Sequence, residues 1–182
     1  DLLRCRSAPL GKRLQLMKIV IHPALFWCAG SWNLTQVQLS KLRDVQLRMV
    51  RKMVGYRRQD CETVGDFMHR SNASIRNLMR THKVEKWDAH YHRLQFSWGG
   101  DVARMGQTSA LTYQVLKHRD ISWIHKVAEQ YRGNQQHCRK LHTWRWERCF
   151  MKYSPSWQKD AQDKSNWVKS LDNMVVWRCM HR

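Results

Sequence analysis

The 182-residue chain carries 33 Lys and Arg against 14 Asp and Glu, a net charge of +19, with 42% hydrophobic residues. That is enough for one medium domain or two small helical ones with a core, and the charge points to a polyanionic partner, nucleic acid first and an anionic membrane surface second. Eight glycines and three prolines are about half the usual share of the two, which counts against many-turned β structure.

Residues 1–9 form a polar, basic lead-in, and Leu10, Leu14, Leu16, Met17 and Ile21 follow at helical spacing. His22-Pro23 is expected to kink or end that helix, since a residue before proline avoids the helical region. Pro23 then suits the first turn of a short apolar helix, Ala24 to Ala29, with Trp27 packed in the core. The stretch Ile19 to Gly30 is the longest apolar one, but His22 and Pro23 break it and it is too short to span a bilayer. Basic residues are spread along the chain instead of gathering beside one amphipathic helix, so the membrane reading is set aside.

Gly30 to Arg58 is the clearest element. Thr35 is a candidate N-cap with Gln38 three residues on, the spacing of a capping box. Gly55 can stop the helix in the left-handed conformation. Leu42, Val45, Gln46, Met49, Val50 and Met53 fall on one side; Lys41, Arg48, Arg51 and Lys52 fall on the other, with Asp44 as the one acid among them. Arg57 and Arg58 extend the charge beyond the helix.

Asp60 is then expected to cap a short helix with Val64, Phe67 and Met68, and Ser71 or Asn72 to start another with Ile75, Leu78 and Met79. Val84, Trp87, Tyr91, Leu94 and Trp98 step by three or four along a longer helix that Gly99-Gly100 should end or bend, with 101–105 adding a turn. Gly106 to Ser109 reads as a linker, dividing a helical domain 1–106 from a basic, Trp-rich helical extension 107–182. In the extension, 111–117 and the Asp120-capped run to Gly133 read as helices, with 134–137 a polar loop. Thr143 to Glu147 alternates and reads as extended; a turn at Ser154-Pro155-Ser156, a short helix 157–162 and a last helix capped by Ser165, with Trp167, Leu171, Met174 and Arg178 aligned, complete the chain. The fold class is therefore all-α. Trp157, Trp167 and Trp177 recur every ten residues, but their flanks differ, which reads as helix packing and not as a repeat.

No catalytic constellation is visible. The acids are isolated, without the clustered carboxylates that hold polymerase metal ions, and no P-loop, nucleophile elbow or dinucleotide fingerprint occurs. Glu62 with Asp66, and Glu85 with Asp88, read as surface charge or helix-start preferences. No cofactor is expected. Cys138, His142 and Cys149 are the nearest approach to a zinc set, and they lack paired knuckle spacing. The six widely spaced cysteines read as free thiols in a reducing compartment. Trp144-Arg145-Trp146 and Trp177-Arg178 can stack bases and hold phosphates, and core packing is the favoured reading of both.

Two motifs carry a resemblance. Gly30-Ser31-Trp32-Asn33-Leu34-Thr35 with the helix ending Arg51-Lys52-Met53-Val54-Gly55 is the first, and Trp98-Gly99-Gly100-Asp101-Val102-Ala103-Arg104-Met105 the second. In this order and at this separation, residues 10–106 resemble the region after the catalytic palm of LINE-type (non-LTR) retrotransposon reverse transcriptases. The chain departs from that pattern at Cys28-Ala29, where the family has Tyr-Gly, in lacking the Glu between Ser and Trp, and at Asp101, where the family has His. The resemblance implies a non-catalytic thumb fragment of an RNA-directed DNA polymerase, continuing a larger chain upstream. Its partners would be an RNA or DNA backbone and an upstream palm, with no small-molecule substrate, in the nucleus or a cytoplasmic ribonucleoprotein. Lys41, Arg48, Arg51, Lys52, Arg57, Arg58 and Arg104 would be the nucleic-acid contacts. The opposite face, Leu42 to Met53, would pack on Trp87, Tyr91 and Leu94. A helical protein-interaction scaffold and a translated, non-functional remnant are the alternatives.

Overall fold

The computed structural model describes residues 3, 5, 7–105 and 143–181, and these are helical without a strand. The helices are α1 (Leu10–Leu25), α2 (Gln36–Val54), α3 (Val64–Thr81), α4 (Trp87–Arg104), α5 (Thr143–Tyr153), α6 (Trp157–Asp160) and α7 (Lys164–Met180), with a 3₁₀ turn at Ala29–Ser31. The all-α expectation holds. Among the described residues no helix is long and apolar enough to cross a membrane. The chain forms two compact units, residues 1–28 with 34–91, and residues 29–33 with 92–182. The division therefore falls inside α4, and the linker expected at Gly106 to Ser109 lies outside the described residues, as do the elements expected over 111–137.

In the first unit α2 packs on α1 and α3. Its ends are as the sequence predicts: Thr35 Oγ1 accepts from Gln38 N at 3.3 Å, Gln38 Oε1 accepts from Thr35 N at 2.8 Å, and Gly55 stops the helix at φ 82°. Leu39, Val50 and Met53 are buried, whereas Val45, expected inside, is 43% exposed. Gln46 is buried for a polar reason. Its Nε2 donates to the Glu85 carbonyl and its Oε1 accepts from Trp87 N–H, both at 2.9 Å. A side chain of α2 thus satisfies one of the orphan donors at the start of α4.

Three expectations for this unit are corrected. First, α1 runs through His22-Pro23 to Leu25, so no separate helix begins at Ala24. Proline removes one backbone bond close to the helix end, and buried His22, bonded to Trp87, holds the last turn in place. Trp27, expected in the core, is 77% exposed just beyond that turn. Second, residues 64–81 are one helix capped by Thr63, whose Oγ1 accepts from Asp66 N at 3.1 Å, not two helices started by Asp60 and Ser71. Ser71 is a mid-helix residue, buried under Arg51. Third, of the two readings of Asp88 the surface one is corrected and the helix-start one holds, since it lies in the first turn of α4. It is 2% exposed, accepts from Ala89 N at 3.0 Å and lies 3.5 Å from Arg43 Nε.

The second unit is built on aromatic rings: Phe96, Phe150, Trp157 and Trp167 are buried, with Phe96 edge-on to Phe150 at 5.0 Å and Phe150 4.8 Å from Trp157. Gly99-Gly100 does not end α4, which runs on to Arg104. A Cβ on Gly99 would come within 2.4 Å of the Phe150 ring, and one on Gly100 within 2.2 Å of Trp167 Nε1. The glycines form a flat seam on which two rings lie. Trp167 is fixed there by its indole N–H, which donates to the Phe96 carbonyl at 3.0 Å. Thr143 to Glu147 is helical, as the start of α5, because the following apolar residues Cys149 and Phe150 bury on a helical period and not on an alternating one. Asp163 caps α7 through Asn166 N at 3.0 Å, not Ser165. Of the tryptophans spaced by ten, Trp157 and Trp167 share the core, and half-buried Trp177 sits edge-on to Tyr153.

Candidate nucleic-acid interface

The basic side of α2 is built by periodicity: Lys41, Arg48 and Lys52 are all exposed, and Arg57 and Arg58 are exposed on the segment that follows Gly55. No acid among the described residues forms an ion pair with any of these five. That segment is ordered from beneath. Arg70 on α3 grips Glu62 with two bonds, Nε to Oε1 at 2.7 Å and Nη2 to Oε2 at 2.8 Å, and Nη2 also donates to the Arg57 carbonyl at 3.3 Å. Glu62 in turn accepts from Gln59 N at 3.2 Å. Its bonds to Arg70 hold the Glu62 carboxyl below the usual carboxylate range. One acid and one arginine therefore spend their charge on shaping the turn, and Arg57 and Arg58 stay exposed.

Arg51 and Arg104 are placed differently from the other expected contacts. The Arg51 guanidinium donates to Ser71 Oγ at 3.0 Å and to Asn72 Oδ1, and lies 5.8 Å over the Phe67 ring. Burial, and then the nearby charge of Arg48, lower its pKa. It joins α2 to α3. Arg104 donates to the Ala161 carbonyl at 2.7 Å and to Asp101 Oδ1 at 2.6 Å, joining α4 to the end of α6. Asp101 is thus an ion-pair partner. Arg104 also belongs to the second unit, whereas the α2 cations belong to the first.

Exposed Arg76, Arg80 and Lys83 add cations to the first unit that the expected contacts did not include. Arg76 and Arg80 are four residues apart on α3, and Lys83 follows just past its end. Within the second unit the first residue of the first motif, Gly30, meets Trp98 of the second. A Cβ on Gly30 would meet Trp98 Cβ at 2.6 Å and the Leu94 carbonyl at 2.9 Å, so the backbone of Gly30 rests on α4 just ahead of Gly99-Gly100. Comparison with family models, curated proteins and solved structures finds no match to this chain.

Of the zinc candidates, Cys138 and His142 lie outside the described residues. Among the described residues no group of three or more His, Cys, Asp or Glu is placed to hold a metal ion. Cys149 is buried, and burial pushes its thiol up to about 11. At neutral pH the native protein is expected to lose Cys5, Cys28 and Cys61, all exposed, to iodoacetamide long before Cys149. Peptide mapping of the alkylated protein checks this, and comparable labelling of Cys149 would contradict the burial.

Proposed function

We propose that this chain binds the sugar–phosphate backbone of a nucleic-acid duplex as the thumb-like part of a reverse transcriptase, without chemistry of its own. The observation that supports it is the separation of charges in the first unit. Lys41, Arg48, Lys52, Arg57 and Arg58 are exposed without an ion-pair partner among the described residues, while Arg51, Arg70 and Arg43 are used within the fold. Such a surface recognises phosphates by charge and shape and reads no base edges. Each phosphate neutralised contributes about 0.9 to the slope of log affinity against log salt.

The test is the variant with Arg48, Lys52, Arg57 and Arg58 all changed to Gln. Its binding to an RNA–DNA duplex is expected to weaken by roughly a hundredfold or more at low salt, with the salt slope shallower by about three to four, because up to four phosphate contacts are lost. Arg51→Gln is expected to do the reverse: it lowers the melting temperature and leaves the slope nearly as it was. An unchanged slope in the folded fourfold variant would sink the proposal.

One observation favours a protein-docking scaffold as the second reading. Ile19, Val20, Pro23, Ala24 and Trp27, at helical spacing along α1 and just past its end, are all exposed. Binding to nucleic acid that is weak and flat with salt would support the scaffold over the thumb.

A further inference from the structure

The first unit contains a histidine cluster that the duplex-binding surface does not use. His22 is buried in the last turn of α1, and its Nε2 accepts the indole N–H of Trp87 at 2.8 Å. Its ring lies 4.8 Å from that of His90 and 5.7 Å from that of Phe26, and Phe26 and Trp87 meet edge-on at 6.0 Å. Because Nε2 is the acceptor, the neutral ring carries its proton on Nδ1, which is buried without a hydrogen-bond partner.

We infer that His22 is an acid-released latch between the end of α1 and the start of α4. The argument is one of donors and acceptors. A second proton on His22 must go to Nε2, and there it faces the Trp87 N–H, donor against donor. The 2.8 Å bond cannot survive protonation in place.

The charged neighbours do not rescue the cation. His90 stands beside it and becomes a like charge when protonated, and Lys18, one turn earlier on α1, is positive already. Among the described residues Glu85 is the favourable charge, and it lies 3.0 Å from His90 Nδ1, so the two rings share it. The C-terminal end of α1 also favours a cation, but only weakly. Burial and then the proximity of His90 outweigh both, and the His22 pKa is lowered from 6.5. The sign follows: the latch is intact above about pH 6.5 and is lost as pH falls through the lowered folded value. Release would uncover Phe26 and Trp87 while leaving α2 on α3.

Native-state hydrogen exchange of the full chain between pH 7.5 and 5 tests this. After correction for intrinsic exchange, the opening of amides over residues 20–26 is expected to rise by up to about tenfold per pH unit as pH falls from about 6.5 towards the folded pKa, and to level off below it. Amides of α3, such as Leu78 and Met79, are expected to stay level. His22→Phe, which cannot take a proton, should show a flat profile over residues 20–26. An α1 opening independent of pH, or an equal rise in α3, would overturn the latch. Should the variant not fold, titration of the His22 side chain by NMR in the unmutated protein decides the matter: a midpoint below 6.5 supports the latch, and one at or above 6.5 overturns it.

Discussion

Gly100→Ala is expected to destabilise the second unit by about 2 kcal/mol, although alanine is the better helix former. The two effects have opposite signs and can be ranked. Replacing a mid-helix glycine by alanine gains about 1 kcal/mol of helix propensity. Against that, the new methyl would sit 2.2 Å from Trp167 Nε1 and 2.5 Å from its Cδ1. Trp167 has little room to withdraw: it is 2% exposed and bonded to the Phe96 carbonyl. Overpacking of this kind typically costs about 1–3 kcal/mol, and more where the neighbour is held. The loss should appear as a lower urea midpoint for the transition of this unit. Trp167→Phe removes the atom in conflict, so the double variant should be less destabilised than the sum of the single changes, by about 1 kcal/mol. A stabilised Gly100→Ala protein would show that α4 and α7 are not packed as described.

The second large effect is expected at Gln46. Leucine is close to it in size and lies within an otherwise apolar stripe, so hydrophobicity alone favours Gln46→Leu. The hydrogen bonds decide otherwise. Gln46 is 2% exposed and satisfies both the Trp87 N–H and the Glu85 carbonyl. Leucine would leave the buried Trp87 N–H without its acceptor, and a stranded polar group costs about 1–3 kcal/mol. With the Glu85 carbonyl also released, the total should be about 2–4 kcal/mol. Amide exchange of Trp87 and its neighbours in the first turn of α4 should accelerate before the rest of the helix responds. A urea midpoint equal to that of the parent protein would mean that water replaces the amide there at no cost.

These two sites also mark what a sequence can and cannot disclose. Local signals were legible. The Thr35–Gln38 box, the Gly55 stop and the basic face of α2 depend only on neighbours within one turn, and each lies where its spacing predicts. Signals whose meaning depends on a distant partner were misread. Gly99-Gly100 reads as a breaker until Phe150 and Trp167, about fifty and sixty-seven residues on, are seen to occupy the space. Ser71 reads as a helix start until Arg51 is found on its hydroxyl, and Pro23 reads as a helix end until Trp87 is found holding His22. The candidate interface follows the same rule. Charge and period identified Lys41, Arg48 and Lys52, but only the fold separates them from Arg51, whose spacing is equally good and whose guanidinium is already occupied.

The glycine seam also decides where the chain can be cut. A boundary at residue 106, natural on composition, would keep α4 and discard both rings that cover it. The severed piece would present Phe96, Gly99, Gly100 and Val102, all buried in the intact unit, as a bare groove to water. Such a surface invites self-association. The Phe150 and Trp167 rings that cover this seam lie on α5 and α7, so a piece that keeps it covered extends through Trp167.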